Sequence, residues 1–382
     1  MTYLHELSDW PNFSFRVDAL ANQLAEVRHK EGWLLGRMSV LDHPPRTEAG
    51  IEALTLELVK SSAIEGETVD AGQARSSLAR QLGLSIGELK PASRAVDSLV
   101  EMTLDATQRY AEPLSKKRLC GWRAALFPSG QSGGRKITVG DWRDGSLGPM
   151  RVVSGPYGHE KIHFEAPDAE RLPAEMEKFL TWFNKAPTYS TSRQPDLEPV
   201  LKAGIAHLWF VTIHPFEDGN GRIGRAITDC ALARADQSPN RFYSLSAQIE
   251  RERKAYYAIL EESHRGGLDI PPWLVWFLGC LGRAIESAEK TLSSVWRKER
   301  VWRQASQYPL NERQRLVLTR LLGDFVGQLN AGKYAKLAKC SPDTALRDLR
   351  ELIEYGLIKR GEKGGRSSSY ELTISLADTF CK

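Results

Sequence analysis

The chain has 382 residues and a net charge of +4. With 41% hydrophobic and 26% charged residues it has the make-up of a soluble globular protein long enough for two or three domains and a sizeable core. Five scattered cysteines (Cys120, Cys230, Cys280, Cys340, Cys381) with no Cys-x-x-Cys pair argue against a disulfide framework or a zinc site and fit a reducing cytoplasm. The first residues carry no signal pattern, no internal repeat is visible, and the longest apolar run, Trp273 to Leu281, is too short for a membrane span, so no membrane partner is expected.

In the first 45 residues, Trp10-Pro11-Asn12-Phe13 reads as a turn that tucks rings into a core. Val17, Leu20, Leu24, Val27 and Leu34 then recur near helical spacing. From Thr47 to Gly66, residues Ile51, Leu54, Leu58 and Ser61-Ser62 share one helical face, and Gly66 is a natural stop. Glu65 falls in the last turn, where the helix dipole disfavours an acid. A cation waiting opposite would explain it.

Residues 93–120 read as helix broken at Pro113, followed by a short apolar piece from Trp122 to Pro128. The Gly- and Ser-rich stretch 129–148, with Trp142-Arg143-Asp144 inside it, is expected to be mostly loop. Residues 150–156 and 161–164 form two short strands around a turn, and 167–184 an amphipathic helix.

Ile205 to Ile213 is apolar throughout and reads as a buried helix. It runs into His214-Pro215-Phe216-Glu217-Asp218-Gly219-Asn220-Gly221-Arg222-Ile223-Gly224-Arg225. Ile223, Ala226, Ile227, Cys230 and Ala231 then return at helical spacing, so the twelve residues form a turn that opens a second core helix. A helix start offers free N–H groups and a positive partial charge. Gly219 and Gly221 leave no side chain between those groups and an anion. Arg222 and Arg225 project from one face and suit a polyphosphate. Asp218 has the wrong sign for an anion site unless it holds Mg²⁺. His214, with an ordinary pKa near ~6.5, can be a neutral base.

Beyond this, residues 248–263 are helical with Tyr256-Tyr257, 271–281 form a last core helix, and 284–304 a charged linker helix with Trp296 and Trp302 that docks on something, a second subunit being one candidate. The net charge resides after residue 308, where 13 Lys and Arg face 9 Asp and Glu; the remainder balances at 39 each. Helices over 311–325 and 333–339 precede a third. That one opens with Ser341-Pro342-Asp343, turns Leu346, Leu349, Leu352 and Ile353 inward, and exposes Arg347 and Arg350 beside Asp348, Glu351 and Glu354. A hairpin from Leu357 to Leu372 carries Lys359, Arg360, Lys363 and Arg366.

The stretch from His214 to Arg225 resembles the signature of Fic-domain proteins, His-x-Phe-x-(Asp/Glu)-Gly-Asn-Gly-Arg-x-x-Arg, at every defined position. The resemblance implies ATP-dependent transfer of AMP to a protein hydroxyl, the target being another protein or the chain itself. His214 would deprotonate the hydroxyl and Phe216 anchor the loop. Asp218 would bind Mg²⁺, Asn220 and its neighbouring N–H groups the α-phosphate, and Arg222 and Arg225 the β- and γ-phosphates. A phosphorylating branch of the family has Lys where Gly221 stands, so the Gly favours nucleotidyl transfer. Ser61-Ser62-Ala63-Ile64-Glu65-Gly66 is similar to the family's inhibitory motif, (Ser/Thr)-x-x-x-Glu-(Gly/Asn). Ser61 and Glu65 are then regulatory: Glu65 would pair with Arg225 in the γ-phosphate's place, or activate water to remove AMP again.

By the same resemblance the strands around Ser154 and Gly155 are a flap that pairs with the target, and Tyr256-Tyr257 border the purine unless they are simply core. His264 stands where many relatives have Asn. The implied nucleotide site is Glu65, Ser154, Gly155, Asp218, Gly219, Asn220, Gly221, Arg222, Ile223, Gly224, Arg225, Tyr256 and Tyr257. The expected fold is mainly α: an N-terminal helical module (1–115) with the inhibitory helix at about 47–66, a Fic catalytic core (116–285) with its hairpin flap, a linker helix (286–307), and a domain resembling a winged helix (308–382) that contacts DNA or protein. The alternatives are transfer of another phosphate-linked group such as UMP, or a DNA-binding regulator whose Fic core only senses nucleotide.

Overall fold

A computed structural model describes every residue except 1, 42, 85–89, 147, 156–158, 160, 186–196, 324, 326, 362–368 and 374–382, and every described side chain except those at 43, 44 and 293–295. The chain divides into two compact units, Met1–Gly36 with Gly50–Ala288, and Arg37–Ala49 with Glu289–Lys382. The protein is mainly α. Fourteen α-helices, two short 3-10 helices and three two-stranded hairpins make up the regular structure of the described residues.

In chain order, α1 (Val17–Ser39), α2 (His43–Ile64), α3 (Ala71–Gln81), α4 (Arg94–Gln108) and α5 (Lys116–Leu126) precede two hairpins. These are β1 (Gln131–Ser132) with β2 (Arg135–Lys136), and β3 (Arg151–Ser154) with β4 (Lys161–Glu165). Then follow α6 (Leu172–Asn184), α7 (Pro199–Ile213), α8 (Asn220–Asp236), α9 (Leu245–Arg251), α10 (Arg253–Arg265) and α11 (Pro271–Ala305). Asp70, Ser93, Ser115 and Ser244 fix four of the helix starts. Each accepts a hydrogen bond from the backbone N–H three residues on, at Gln73, Val96, Arg118 and Ala247.

The centre of the first unit is α7, buried on all sides from Ala203 to Ile213. Trp209 meets Trp10 and Phe13 edge-on at 6.2 and 5.8 Å, so the Trp-Pro-Asn-Phe turn does bring its rings to the core. On another side α11 presses on Gly204. A Cβ there would lie 2.8 Å from Phe277 Cδ1, and Trp273 Nε1 donates to the Gly204 carbonyl at 2.9 Å. α8 approaches as closely: a Cβ on Gly224 would be 3.0 Å from Val211 Cγ1.

Several sequence expectations are corrected. The last core helix and the linker helix are one continuous α11, because nothing between Leu281 and Ala284 breaks it. The helix expected over 248–263 is two, α9 and α10, parted at Glu252. α3 lies in a stretch with no expected element, and the Gly-rich loop holds the small hairpin β1–β2.

In the second unit, α12 (Glu312–Leu322), α13 (Ala331–Ala338) and α14 (Pro342–Glu354) are followed by β5 (Ile358–Arg360) paired with β6 (Tyr370–Leu372). Val317, Leu318, Tyr334, Leu349, Leu352 and Ile358 form its own core. Two expectations for α14 are overturned. Leu346 is exposed, because the inward face is set by Ala345, Leu349 and Leu352. Asp348 lies on that inward face, where its carboxylate accepts from Arg313 Nε at 2.8 Å, Asn311 Nδ2 at 3.1 Å and Tyr334 Oη at 3.1 Å. The basic positions Lys363 and Arg366 lie outside the described residues. No helix of the described residues is long and apolar enough to cross a membrane.

Candidate active site

α7 ends at His214, whose backbone is left-handed (φ 51°, ψ 57°) although it carries a side chain. Such strain is held only where the surroundings over-determine it. Here the His214 N–H donates to Phe210 O at 3.0 Å, and Arg143 Nε donates to the His214 carbonyl at 2.9 Å. The Arg143 N–H takes the next carbonyl, Pro215, at 3.0 Å. His214 Nδ1 lies 3.2 Å from the Val211 carbonyl, which makes Nδ1 the protonated nitrogen and leaves Nε2 as the base. Burial lowers the pKa of His214 to about 4; the Val211 bond, Glu65 and Asp218 work the other way. The imidazole is therefore neutral at physiological pH. His264 stands near enough to share its field, stacks on Phe164 at 3.9 Å, and is itself lowered to about 3 by burial.

After His214 the loop is pinned from below. Phe216 is fully buried against Trp142, 5.3 Å between centroids. The Asn220 amide is spent on the same loop: Oδ1 accepts from Phe216 N at 3.0 Å and Nδ2 donates to Phe216 O at 2.7 Å. Glu217 accepts from the buried Arg123 at 3.0 Å and from Thr138 N at 3.1 Å. Asp218 accepts from the Gly219 N–H at 2.5 Å and from the Ser132 hydroxyl.

Gly219, at φ 85°, then turns the chain into α8, which begins with no side-chain cap. The Ile223 N–H already bonds to Gly219 O at 3.0 Å, its side chain is core, and Gly224 abuts Val211. The free donors are thus those at the very start of the helix. Directly over them lies a carboxylate. A Cβ on Gly221 would sit 2.1 Å from Glu65 Oε1. That oxygen accepts from Arg225 Nη2 at 2.8 Å, while Ser61 binds the same guanidinium through Oγ and its carbonyl, each at 2.9 Å. Burial opposes the charge of Arg225, yet Glu65 beside it raises its pKa overall. Arg225 Nη1 remains buried without a hydrogen-bond partner, beside the Gly221 cradle.

Glu65 reaches this place by backbone geometry. Gly66 (φ 83°) ends α2 with its N–H on Ala63 O at 3.0 Å, and Glu67 N bonds to Ser62 O at 3.1 Å, a Schellman turn. The turn puts Glu65 and Glu67 on one side. Glu67 takes the second motif arginine, bonding to Arg222 Nη1.

The tyrosine pair divides. Tyr256 is buried, its hydroxyl 2.8 Å from His207 Nε2, and His207 Nδ1 is 2.8 Å from the Thr228 hydroxyl on α8. Tyr257 is 40% exposed, beside Arg253. Ser154 and Gly155 lie at the end of β3, on the hairpin whose Phe164 covers His264. Arg143, Glu67, Ser132 and Arg123 escaped the sequence reading. Each acts on the motif from scores of residues away, and no local pattern marks them.

The site can seat an anion. An orphaned buried guanidinium nitrogen, an uncapped helix start and a cradle that any Cβ would fill all fit phosphate oxygens, for which the Glu65 carboxylate stands in. Oxygen donors at Asp218 and Ser132 suit a hard divalent cation completed by phosphates and water. Among the described residues no three His, Cys, Asp or Glu side chains gather to hold a metal unaided.

Fold and site together define a helical protein whose uncapped helix start and buried arginines can seat an anion beside a neutral histidine. Residues 113–232 match the Fic/DOC family model, and residues 3–84 match a domain of unknown function, DUF4172. Relatives include a protein adenylyltransferase Fic of Nematostella vectensis, 25% identical over 252 residues (64% of this chain, 50% of the relative), and one of Drosophila willistoni, 25% identical over 245 residues (62% and 41%). The chain spans about half the length of these curated relatives or less. A Fic family protein from Desulfovibrio desulfuricans G20 shares the fold at TM-score 0.51 and 20% identity over 93% of this chain and 95% of its own. A Fic domain containing signaling protein from Bacteroides thetaiotaomicron does so at 0.51 and 22% over 69% and 96%. The likeness to the Fic/DOC family lies in residues 113–232, and the two solved structures share the fold.

Proposed function

We propose that this chain transfers AMP from ATP to a hydroxyl of a protein, releasing pyrophosphate, and that Glu65 holds it inactive. The observation that carries the reading is the Glu65 carboxylate lying on the start of α8 against Arg225, with a neutral His214 beside it. The likeness to curated protein adenylyltransferases supports it. His214 Nε2 takes the proton of the incoming hydroxyl. The first N–H groups of α8 with Arg222 and Arg225 hold the triphosphate and draw off charge as pyrophosphate departs. Asp218, with Ser132 on its other oxygen, would hold Mg²⁺, which supplies further neutralisation of the phosphates. The Asn220 amide works by keeping the loop shape, leaving the α-phosphate to backbone donors.

Parallel incubations with α-labelled and γ-labelled ATP test the reading. The Glu65→Gly chain is expected to incorporate label from the first only, and His214→Ala in that background to lose about 10²–10⁴-fold while still binding ATP. Incorporation from γ-labelled ATP would replace AMP transfer by phosphorylation, and label from α-labelled UTP in its place would name a different nucleotide.

A further inference from the structure

The far end of α8 borders a second cavity. Arg234, in the last turn of that helix, lies about 18 Å along the axis beyond Arg222, so it takes no part in the seat under Glu65. Here α6 ends, α7 begins and the connection from α4 to α5 passes, and they enclose a half-open cavity of about 470 Å³. That is the size of a small-molecule site. Tyr110, Pro113, Trp182 and Phe183 give it apolar walls, and Lys202 and Arg234 give it charge. None of its described lining residues is acidic.

Both cations are held in place and neither is neutralised. Arg234 donates through Nε to the Tyr110 carbonyl at 2.6 Å, through Nη2 to that of Glu112 at 2.8 Å and through Nη1 to that of Phe183 at 3.2 Å. Its guanidinium lies 4.5 Å over the Phe183 ring. Lys202, in the first turn of α7, donates through Nζ to the Lys185 carbonyl at 2.8 Å and lies 5.3 Å from the Trp182 ring centre. Among the described residues, the charges that bear on Lys202 are Arg234 and Lys185, both of its own sign. Burial first, and then these two, bring its ammonium down to about 8. Carbonyls satisfy hydrogen bonds but carry no net charge. An ammonium has three N–H donors and a guanidinium five, so the carbonyls leave two on each residue. An anion would supply both the missing acceptors and the missing charge.

We propose that this cavity binds a small organic anion, a carboxylate or phosphate group on an apolar body. Its oxygens lie between Lys202 and Arg234, and its body lies against the apolar walls. The site shares no residue with the start of α8, so the proposal stands or falls independently of AMP transfer.

The wild-type, full-length protein with ¹³C-labelled lysines tests it by NMR. The Lys202 signal is the one missing from Lys202→Gln. It is followed against pH alone and with benzoate, phenyl phosphate, inorganic phosphate or benzyl alcohol at millimolar concentration. Alone, Lys202 is expected to titrate near pH 8. With benzoate or phenyl phosphate it should titrate about one unit or more higher, because an opposite charge favours the ammonium. The larger of the two shifts tells a carboxylate head from a phosphate head. In calorimetry Lys202→Gln should weaken binding of the preferred anion about tenfold or more, and Lys202→Arg, which keeps the charge, should retain most of it. A Lys202 signal that neither organic anion moves would overturn the proposal. Inorganic phosphate acting as strongly as phenyl phosphate would overturn the apolar body, and benzyl alcohol binding as tightly as benzoate would overturn the role of charge.

Discussion

At the residue scale, His214 sets the pH behaviour. Burial holds its pKa at about 4. A base with a lowered pKa keeps its active, neutral form as pH falls, until the pH meets that value. The acid limb of kcat/KM in the Glu65→Gly chain is therefore expected well below pH 6, with a flat rate between pH 6 and 8 as far as this residue is concerned. An acid limb near ~6.5 would show an ordinary, solvated imidazole and a loop more open than the hydrogen bonds of Arg143 imply. This residue was plain in the sequence, as were Asp218, Arg222 and Arg225, because the motif is contiguous. Arg143 was not: its job is to cap two carbonyls 71 and 72 residues away, and a lone arginine in a Gly-rich loop gives no sign of that.

At the element scale, the end of α2 meets the motif helix through two carboxylates. Glu65 and Glu67 take Arg225 and Arg222, and both depend on the left-handed Gly66. Gly66→Ala should strain the turn by about 1 kcal/mol and raise AMP transfer severalfold. Glu67→Gln should raise it less than Glu65→Gly, since Glu67 is half exposed and Glu65 alone lies over Gly221. Rates no higher than wild type in both variants, measured with α-labelled ATP, would show that α2 does not restrain the site. The Glu65 contact was foreseeable from a hexapeptide; the Glu67 contact was not, because it follows from the turn that carries Glu67 back beside the helix. A different helix contact gives a stability prediction. Gly204→Ala puts a Cβ 2.8 Å from the Phe277 ring, a backbone-borne clash with a rigid neighbour. Overpacking of this kind costs about 1–3 kcal/mol, and thermal unfolding should show it, with partial recovery in the Gly204→Ala, Phe277→Leu double variant.

At the scale of the whole molecule, two units with separate cores share one chain. The second presents Arg347 and Arg350 on α14 while Asp348 is turned inward to Arg313, so its outer face is more basic than the sequence implied. We expect the full chain to bind duplex DNA in a gel shift, weakening steeply with salt, and Arg347→Glu with Arg350→Glu to abolish the shift. Retention of a protein partner with no DNA binding at low salt would assign this face to docking instead. Most of the helices were legible from apolar spacing, α3 and the break between α9 and α10 excepted. The continuity of α11 and the inward face of α14 were not, since each turns on which of several equivalent apolar residues the neighbouring elements select.

The Schellman turn has a quantitative corollary. If the chain binds ATP as proposed, Glu65, tethered to the seat it fills, would compete with the nucleotide as a ligand at a high effective concentration, of the order of millimolar for a short tether. A triphosphate would displace it from the guanidiniums only where its own concentration, scaled by its affinity, outweighs that of the tethered carboxylate. The threshold for that exchange would be set by how stiffly residues 61–67 are held.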